Sequence, residues 1–202
     1  MVPAEREASG NLSDRGDESL RRVLLTSEEA EAMDAHGQVE AAVLLPMFDY
    51  PDDPGLVLTE RRADLRRHAG EISFPGGRRD TPGESLQSTA LREAQEEIGL
   101  DPEGVEVVGA LPPIGTFVTG YKVHPFVGLI EPGLTFAPNP AEVETVLAFR
   151  LEELRVGFGM RRLIRRGVPI RTPTYVVGDH LIWGATARIL GELLSRLDEL
   201  SP

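Results

Sequence analysis

The chain has 202 residues, a length that suits one domain and allows a substantial buried core. Its formal net charge of −12 repels nucleic-acid phosphates, so nucleic acid is not an expected partner. The absence of cysteine excludes disulfides, thiolate metal sites and cysteine nucleophiles, and leaves carboxylates and histidines as ligands for a hard metal ion. No stretch approaches the roughly 20 apolar residues of a membrane span. The polar N-terminus also lacks a secretory signal, so we expect a cytoplasmic protein with no membrane partner.

The expected elements begin after a polar N-terminal segment. The first 18 residues are rich in Gly, Ser and Asp, which predicts a mobile extension before a single domain over residues 19–202. Thr26 or Ser27 followed by two glutamates is typical of a helix cap, so a short helix is expected before Gly37. Apolar runs bounded by turn residues predict strands, the first two joined by a hairpin-like turn. These runs cover residues 39–47, 56–59, 105–111, 123–130, 146–149 and 174–177.

Two longer helices complete the expected fold. One spans about residues 85–98, with an apolar residue every fourth position and Gly99 just past its end. The other spans about residues 185–197 and has the apolar spacing of a core-packing helix. Strands and helices interleaved in this way indicate an α/β fold in which helices cover a mixed β-sheet.

Three glutamates lie on the polar side of the first long helix. Glu93, Glu96 and Glu97 stand at i, i+3 and i+4 and therefore share one face. Like charges at this spacing destabilise a helix by roughly 0.2–0.5 kcal/mol per pair, and Arg92 is the only cation in the same stretch. Mg²⁺ would neutralise the three acids, because it prefers oxygen ligands and bridges carboxylates to substrate phosphates. Taken alone, three acids on a helix are more simply solvated surface residues.

The sequence in front of this helix favours the metal-site interpretation. Phe74-Pro75-Gly76-Gly77 precedes a polar loop, and adjacent glycines let the backbone approach a phosphate or metal closely. Residues 77–100 then resemble the Nudix box, whose pattern is G-x5-E-x7-R-E-U-x-E-E-x-G-U with U aliphatic. The second half matches at Glu84, Arg92, Glu93, Ala94, Glu96, Glu97, Ile98, Gly99 and Leu100. Six residues instead of five separate Gly77 from Glu84, so the loop is one residue longer.

The resemblance implies a Nudix-like α/β/α sandwich and a Mg²⁺-dependent hydrolase that cuts a diphosphate bond, with Mn²⁺ as an alternative ion. The residues it assigns as metal ligands are Glu93, Glu97, Glu96 and the backbone carbonyl of Gly77. Arg92 would orient these glutamates, and the usual role of Glu84 is to hold that arginine.

Members of this family often use an acid outside the box. Glu142, in Pro140-Ala141-Glu142-Val143, is the first candidate and Glu144 the second, although a loop glutamate can also be simply exposed. A box glutamate or Glu142 would accept the proton of the attacking water. The sequence leaves the choice of catalytic base open.

A second resemblance narrows the expected substrate. Residues 58–77 resemble the motif of coenzyme A diphosphatases, L-L-T-x-R-S/A-x3-R-x3-G-x3-F-P-G-G. The positions in register are Thr59, Arg61, Arg66, Gly70 and Phe74 to Gly77. Arg62 departs from the motif, because it stands where Ser or Ala is expected. The resemblance implies cleavage of coenzyme A to 4′-phosphopantetheine and adenosine 3′,5′-bisphosphate.

Six residues of this segment are the candidate substrate-binding residues: Arg61, Arg66, His68, Gly70, Phe74 and Gly76. Arginines before and after the glycine pair concentrate positive charge in an otherwise acidic chain, and forked guanidinium groups suit a diphosphate and a separate 3′-phosphate. They are Arg61, Arg62, Arg66, Arg67, Arg78 and Arg79. A loop over residues 115–121 is expected near the site, where Phe117 or Tyr121 could touch adenine or pantetheine.

Two alternatives stay open at this point. The substrate could be ADP-ribose or another nucleoside diphosphate derivative, with the same chemistry. A non-catalytic nucleotide-binding regulator of the same fold is the alternative from another class, since a fold does not fix a function. A homodimer is compatible with the sequence.

Overall fold

The computed structural model describes residues 12–64, 70–116, 120–165 and 168–200 of the chain. Its α-helices are α1 (Leu12–Val23), α2 (Ser27–Ala32), α3 (Leu86–Ile98), α4 (Leu151–Gly157) and α5 (Gly184–Asp198). Its strands are β1 (Val39–Phe48), β2 (Gly55–Arg61), β3 (Ile72–Ser73), β4 (Gly76–Arg78), β5 (Val105–Ala110), β6 (Ile114–Gly115), β7 (Tyr121–Ile130), β8 (Val143–Arg150), β9 (Phe158–Arg165), β10 (Val168–Val177) and β11 (His180–Trp183).

A mixed sheet of eight strands forms the centre of the fold. Its main path runs β3-β2-β1-β7-β5, while β4 pairs with β1, β6 with β7 and β8 with β2. The long central pair, β1 and β7, is parallel, and the flanking pairs are antiparallel. A separate antiparallel sheet of three strands, in the order β11-β10-β9, follows in the C-terminal part.

Helices cover both faces of the central sheet. On one face, α3 buries four apolar side chains against the sheet, namely Leu86, Ala90, Ala94 and Ile98. On the opposite face, α5 buries Ala187, Ile189, Leu190, Leu193, Leu194 and Leu197. Burial of each leucine contributes roughly 1.5–3 kcal/mol, so both helices are fixed by their apolar stripes. The predicted α/β fold, with helices flanking a mixed sheet, is confirmed.

Local sequence signals set the ends of the helices. Thr26 caps α2, and its side chain and that of Glu29 form a reciprocal capping box. Ser85 caps α3 by accepting a hydrogen bond from the amide of Ser88. Gly99 ends α3 at φ = 68°, a left-handed conformation that favours glycine. The helix that carries the three glutamates therefore begins and ends where the sequence predicts.

Other boundaries differ from the sequence-based expectations. Helix α1 begins at Leu12, so the boundary expected at residue 18 falls inside a helix, while residues 1–11 lie outside the described ranges. Sequence inspection also missed α4 and the short strands β3, β4, β6 and β11, because elements of two to seven residues carry little periodicity. None of the helices in the described ranges has the length and apolar character needed to cross a membrane.

Candidate active site

The turn of Gly76 and Gly77 lies against the C-terminal half of α3. Strand β4 places the turn there by pairing antiparallel with β1, where Gly76 and Gly77 are opposite Val43 and Ala42. The amide N–H of Gly76 donates to Oε2 of Glu97 across 3.1 Å. This bond fixes the side chain of Glu97, a residue that is only 9% exposed to solvent.

Glycine at position 77 leaves room for the carboxylate of Glu93, which occupies the space where a side chain would be. A Cβ at Gly77 would lie 2.4 Å from Cδ and from Oε1 of Glu93. No side chain could enter without displacing that carboxylate. The glycine pair therefore allows a close approach between the backbone and the carboxylates of α3. The predicted approach to a phosphate or metal stays a prediction.

Arg92 connects the acidic side chains of the box. Its Nε donates to Oε1 of Glu84 at 2.9 Å, and its Nη1 donates to Glu93 at 3.0 Å and to Glu96 at 3.2 Å. Nη2 donates to the carbonyl of Arg78, which ties the guanidinium to β4. The extra loop residue before Glu84 therefore leaves the contact between Glu84 and Arg92 intact.

Two of the three glutamates on α3, Glu93 and Glu97, have raised pKa values. Burial raises the pKa of Glu97 to about 7; the hydrogen bond from Gly76 opposes this shift, and the negative charges of Glu93 and Glu142 add to it. Burial also raises the pKa of Glu93, whereas Arg92 acts in the opposite direction. Desolvated carboxylates with converging charge favour a proton or a bound cation.

The chemistry of these donors fits a hard divalent cation. The carboxylates of Glu93, Glu96 and Glu97 and the backbone of Gly77 offer only oxygen ligands. In the part of the chain that the structure describes, no three His, Cys, Asp or Glu side chains are already arranged to hold a metal ion. Glu93 and Glu96 are hydrogen-bonded to Arg92 instead. Each of these bonds uses one carboxylate oxygen, Oε1 of Glu93 and Oε2 of Glu96, so the second oxygen of each group is not engaged by Arg92.

Glu142 lies at the edge of the same site. Its Oε2 is 3.4 Å from Nη1 of Arg61, and its charge is one of those that raise the pKa of Glu97. Glu144 is the extra residue of a bulge in the pairing of β2 with β8, where Glu60 pairs with Thr145 and Arg61 with Val143. Its side chain is exposed. The structure thus associates Glu142, the first candidate outside the box, with the catalytic helix.

The substrate-binding candidates have different positions. Arg61 ends β2 beside Glu142, and Gly70 closes the following loop by donating its amide N–H to the carbonyl of Arg61 at 3.0 Å. Arg66 and His68 lie outside the described residues. Their assignment to substrate stays a prediction.

Two further substrate-binding candidates, Phe74 and Gly76, belong to the structural framework of the site. Phe74 is 2% exposed and belongs to the hydrophobic core. Its assignment to substrate stays a prediction. Gly76 donates its amide to Glu97 and so positions a carboxylate.

The surrounding arginines divide into paired and exposed side chains. Arg62 pairs with Asp64, whereas Arg78 and Arg79 have exposed side chains next to the glycine turn. Arg67 lies outside the described residues. In the expected covering loop, the backbone of Thr116 bonds to Tyr121 and Gly120, while Phe117 is outside the described ranges.

Sequence analysis missed a polar pair, formed by His124 and Glu40, on the α3 side of the sheet. Nε2 of His124 lies 2.7 Å from Oε2 of Glu40, and His124 is 1% exposed. Burial lowers the pKa of His124, and the charge of Glu40 opposes this effect. The parallel register of β1 and β7 brings the two residues together, which no spacing along the chain could indicate.

A carboxylate-bearing helix beside a glycine pair, within a sandwich of helices and a mixed sheet, suits a metal-dependent hydrolase. The family model of the NUDIX domain matches residues 38–167, and the chain belongs to the Nudix family. Nudix hydrolases act on nucleoside diphosphate derivatives and generally use divalent metal ions.

Close relatives support this assignment over most of their length. The chain is 44% identical over 164 residues to an "Uncharacterized Nudix hydrolase NudL" of Cronobacter sakazakii, covering 80% of this chain and 84% of that protein. It is 45% identical over 156 residues to the protein of the same name from Citrobacter koseri, covering 76% and 80%. This protein is accordingly a Nudix hydrolase.

Solved structures share the fold at low sequence identity. A C. elegans Ap4A hydrolase binary complex superposes with a TM-score of 0.54 at 16% identity, covering 80% of this chain and 99% of that one. The NUDIX domain of Shewanella oneidensis NrtR, complexed with ADP ribose, superposes with a TM-score of 0.53 at 17% identity, covering 85% and 92%. These similarities establish the architecture.

Proposed function

We propose that the protein hydrolyses the diphosphate bond of coenzyme A or its derivatives in a Mg²⁺-dependent reaction. The observation that carries this proposal is the continuity between the coenzyme A diphosphatase-like segment and the catalytic turn. Arg61 of that segment lies beside Glu142, and Gly76, one residue before the end of the segment, bonds to Glu97. A side chain suited to phosphate and the catalytic carboxylates are therefore held by one stretch of backbone.

Each group of residues in the site would have its own role in the reaction. Glu93, Glu96 and Glu97, with the Gly77 carbonyl, would hold the cation, and Arg92 orients the glutamates. When bound, a divalent cation supplies Lewis-acid chemistry, lowering the pKa of water and neutralising charge on the diphosphate oxygens.

Hydrolysis forms one P–O bond from water and breaks one bridging P–O bond, so each product keeps one of the two phosphates of the diphosphate. A box glutamate or Glu142 accepts the proton that the water loses. With coenzyme A the products are 4′-phosphopantetheine and adenosine 3′,5′-bisphosphate. The arginines next to the turn, with Arg66 and His68 of the neighbouring loop, would bind the diphosphate and the 3′-phosphate.

ADP-ribose is the second candidate substrate. It is bound by the NrtR domain that shares this fold, and it offers the same diphosphate without a 3′-phosphate. A purely regulatory role is less well supported, because every glutamate of the box is present.

Product identification separates these alternatives. The purified protein is incubated with Mg²⁺ and, separately, with coenzyme A, dephospho-coenzyme A and ADP-ribose, and the products are identified by mass spectrometry. We expect coenzyme A to be cleaved with the highest kcat/KM. Equal cleavage of dephospho-coenzyme A would remove the argument for a 3′-phosphate site, and faster cleavage of ADP-ribose would favour the second candidate.

A pair of variants connects the products to the site. Glu97→Gln removes the charge of a buried box carboxylate, whereas Glu103→Gln makes the same change on an exposed residue of the turn before β5. Cleavage should disappear only in the first variant. No cleavage by the unaltered protein, or full activity of Glu97→Gln, contradicts the proposed chemistry.

A further inference from the structure

We propose that Arg62 is a positioning residue that clamps the loop carrying Glu142 onto the carboxylate end of α3. This inference rests on the proposed function, because it gives Glu142 a role in diphosphate hydrolysis. It assigns a task to the residue at which the chain departs from the coenzyme A diphosphatase motif, where Ser or Ala is expected.

The start of the loop is attached to the end of α3. The amide of Ala137 donates to the carbonyl of Ile98 at 2.9 Å, and the amide of Asn139 donates to that of Glu97 at 2.8 Å. These carbonyls belong to the last turn of the helix, whose acceptors have no partner within the helix. Movement of the loop at this point would therefore be transmitted to the backbone of Glu97.

Asn139 then shapes the turn that leads to Glu142. Its side-chain Oδ1 accepts from the amide of Ala141 at 3.0 Å, and its carbonyl accepts from the amides of Glu142 at 3.0 Å and Val143 at 2.9 Å. Asparagine commonly stabilises such turns. The exposed residues Pro140 and Ala141 form the outer part of the turn and need a contact from another element to fix them.

Arg62 provides that contact through both its backbone and its side chain. Its amide donates to the carbonyl of Glu142 at 3.1 Å, and its Nη1 donates to the carbonyl of Pro140. The side-chain bond spans 78 positions in sequence and joins the substrate segment to the turn. Alanine or serine at position 62 would keep the backbone bond and lose the side-chain bond.

Asp64 orients the guanidinium for this purpose. Nε and Nη2 of Arg62 donate to the two carboxylate oxygens of Asp64 at 2.9 and 2.7 Å, which leaves Nη1 directed towards Pro140. An exposed ion pair of this kind contributes little stability. Its main effect is on geometry, because a bidentate pair fixes the plane of the guanidinium. Lysine has no such fork and would reproduce only part of the arrangement.

Hydrogen exchange tests the clamp without substrate. Exchange of backbone amides in residues 137–143 is followed by mass spectrometry in the unaltered protein, in Arg62→Ala and in Arg62→Lys. We expect exchange to accelerate roughly tenfold in Arg62→Ala and less in Arg62→Lys. Arg161→Ala, which removes an exposed arginine of β9, is the matched control and should leave the segment unchanged. Unchanged exchange in Arg62→Ala would overturn the clamp.

Kinetics of single and double variants test its connection with Glu142. Because general-base catalysis contributes factors of 100 or more, Glu142→Gln should lower kcat for coenzyme A by roughly 100-fold. Arg62→Ala should lower kcat by roughly tenfold with KM nearly unchanged, and Arg62→Lys should recover part of the loss. In the double variant, loss of Arg62 should add nothing to loss of Glu142.

The two measurements keep the failures distinguishable. An equal loss from Arg62→Ala in the presence and absence of Glu142 would show that the arginine acts elsewhere, and would overturn the connection. A protein that cleaves no diphosphate would contradict the proposed function, whereas the exchange comparison would still decide whether Arg62 holds the loop.

Discussion

Replacement of Glu97 by glutamine is expected to stabilise the metal-free protein at alkaline pH while abolishing hydrolysis. Glu97 is 9% exposed, and its burial raises the pKa to about 7 from an ordinary value of 4.5. Glutamine has nearly the same shape, can still accept the hydrogen bond from Gly76, and carries no charge. The substitution therefore removes the desolvation penalty together with the metal-binding charge.

The sign and size of the effect follow from proton linkage. Because the folded-state pKa lies above the unfolded value, the folded protein loses stability as pH rises from 4.5 through about 7, and the loss is complete above that range. At about 1.4 kcal/mol per pKa unit, the full difference is about 3 kcal/mol. Glu97→Gln should thus exceed the unaltered protein by about 3 kcal/mol in free energy of unfolding at pH 9, and by much less at pH 5.

Urea unfolding in the presence of EDTA, at pH 5 and pH 9, measures this difference. Glu96→Gln is the matched control, because it makes the same chemical change one position earlier on a side chain that is 57% exposed. We expect only the Glu97 variant to show the pH-dependent gain. The Glu97 variant could instead be no more stable than the unaltered protein at pH 9, or equally stabilised at both pH values. Either result would refute the conclusion that burial of the Glu97 carboxylate destabilises its charged form.

Three further outcomes follow from the same geometry. Gly77→Ala should lower kcat by roughly 100-fold or more with little change in circular dichroism, because its Cβ would displace the carboxylate of Glu93; activity near that of the unaltered protein would contradict the close approach. Glu84→Ala should reduce the free energy of unfolding by roughly 1–3 kcal/mol, since Arg92 loses its 2.9 Å partner, and chemical denaturation measures this loss. Removal of divalent ions with EDTA should abolish hydrolysis, and added Mg²⁺ should raise the Tm of the unaltered protein but not of Glu97→Gln, as differential scanning fluorimetry would reveal.

Strong local patterns were enough to predict much of the fold. Helix α3 could be located within one residue at its N-terminus, because Ser85 and Gly99 give unambiguous capping signals and the apolar stripe repeats every four residues. Most of the long strands were located for a similar reason, since each is a bounded apolar run, whereas β9, with three arginines among its eight residues, was missed. Short strands such as β3 and β4 were missed, because two or three residues have no periodicity and owe their conformation to pairing with β2 and β1.

The site was predictable where its residues share one element. Glu93, Glu96 and Glu97 lie on one helix, so their spacing alone places them on one face. Phe74 shows the limit of such reasoning, because a motif position does not reveal how deeply an aromatic side chain is buried. Its 2% exposure is known only from the structure.

The sequence by itself determined the carboxylate helix, the glycine turn before it and the class of chemistry, because these depend on local spacing and conformational preference. Tertiary structure alone decided which distant groups meet around the helix: Arg61 contacts Glu142, Arg62 contacts Pro140 and Gly76 contacts Glu97. The physical reason is that these contacts depend on strand register and on the docking of a loop to a helix end. Charge and burial at Glu97, and with them its raised pKa, arise only when those elements meet.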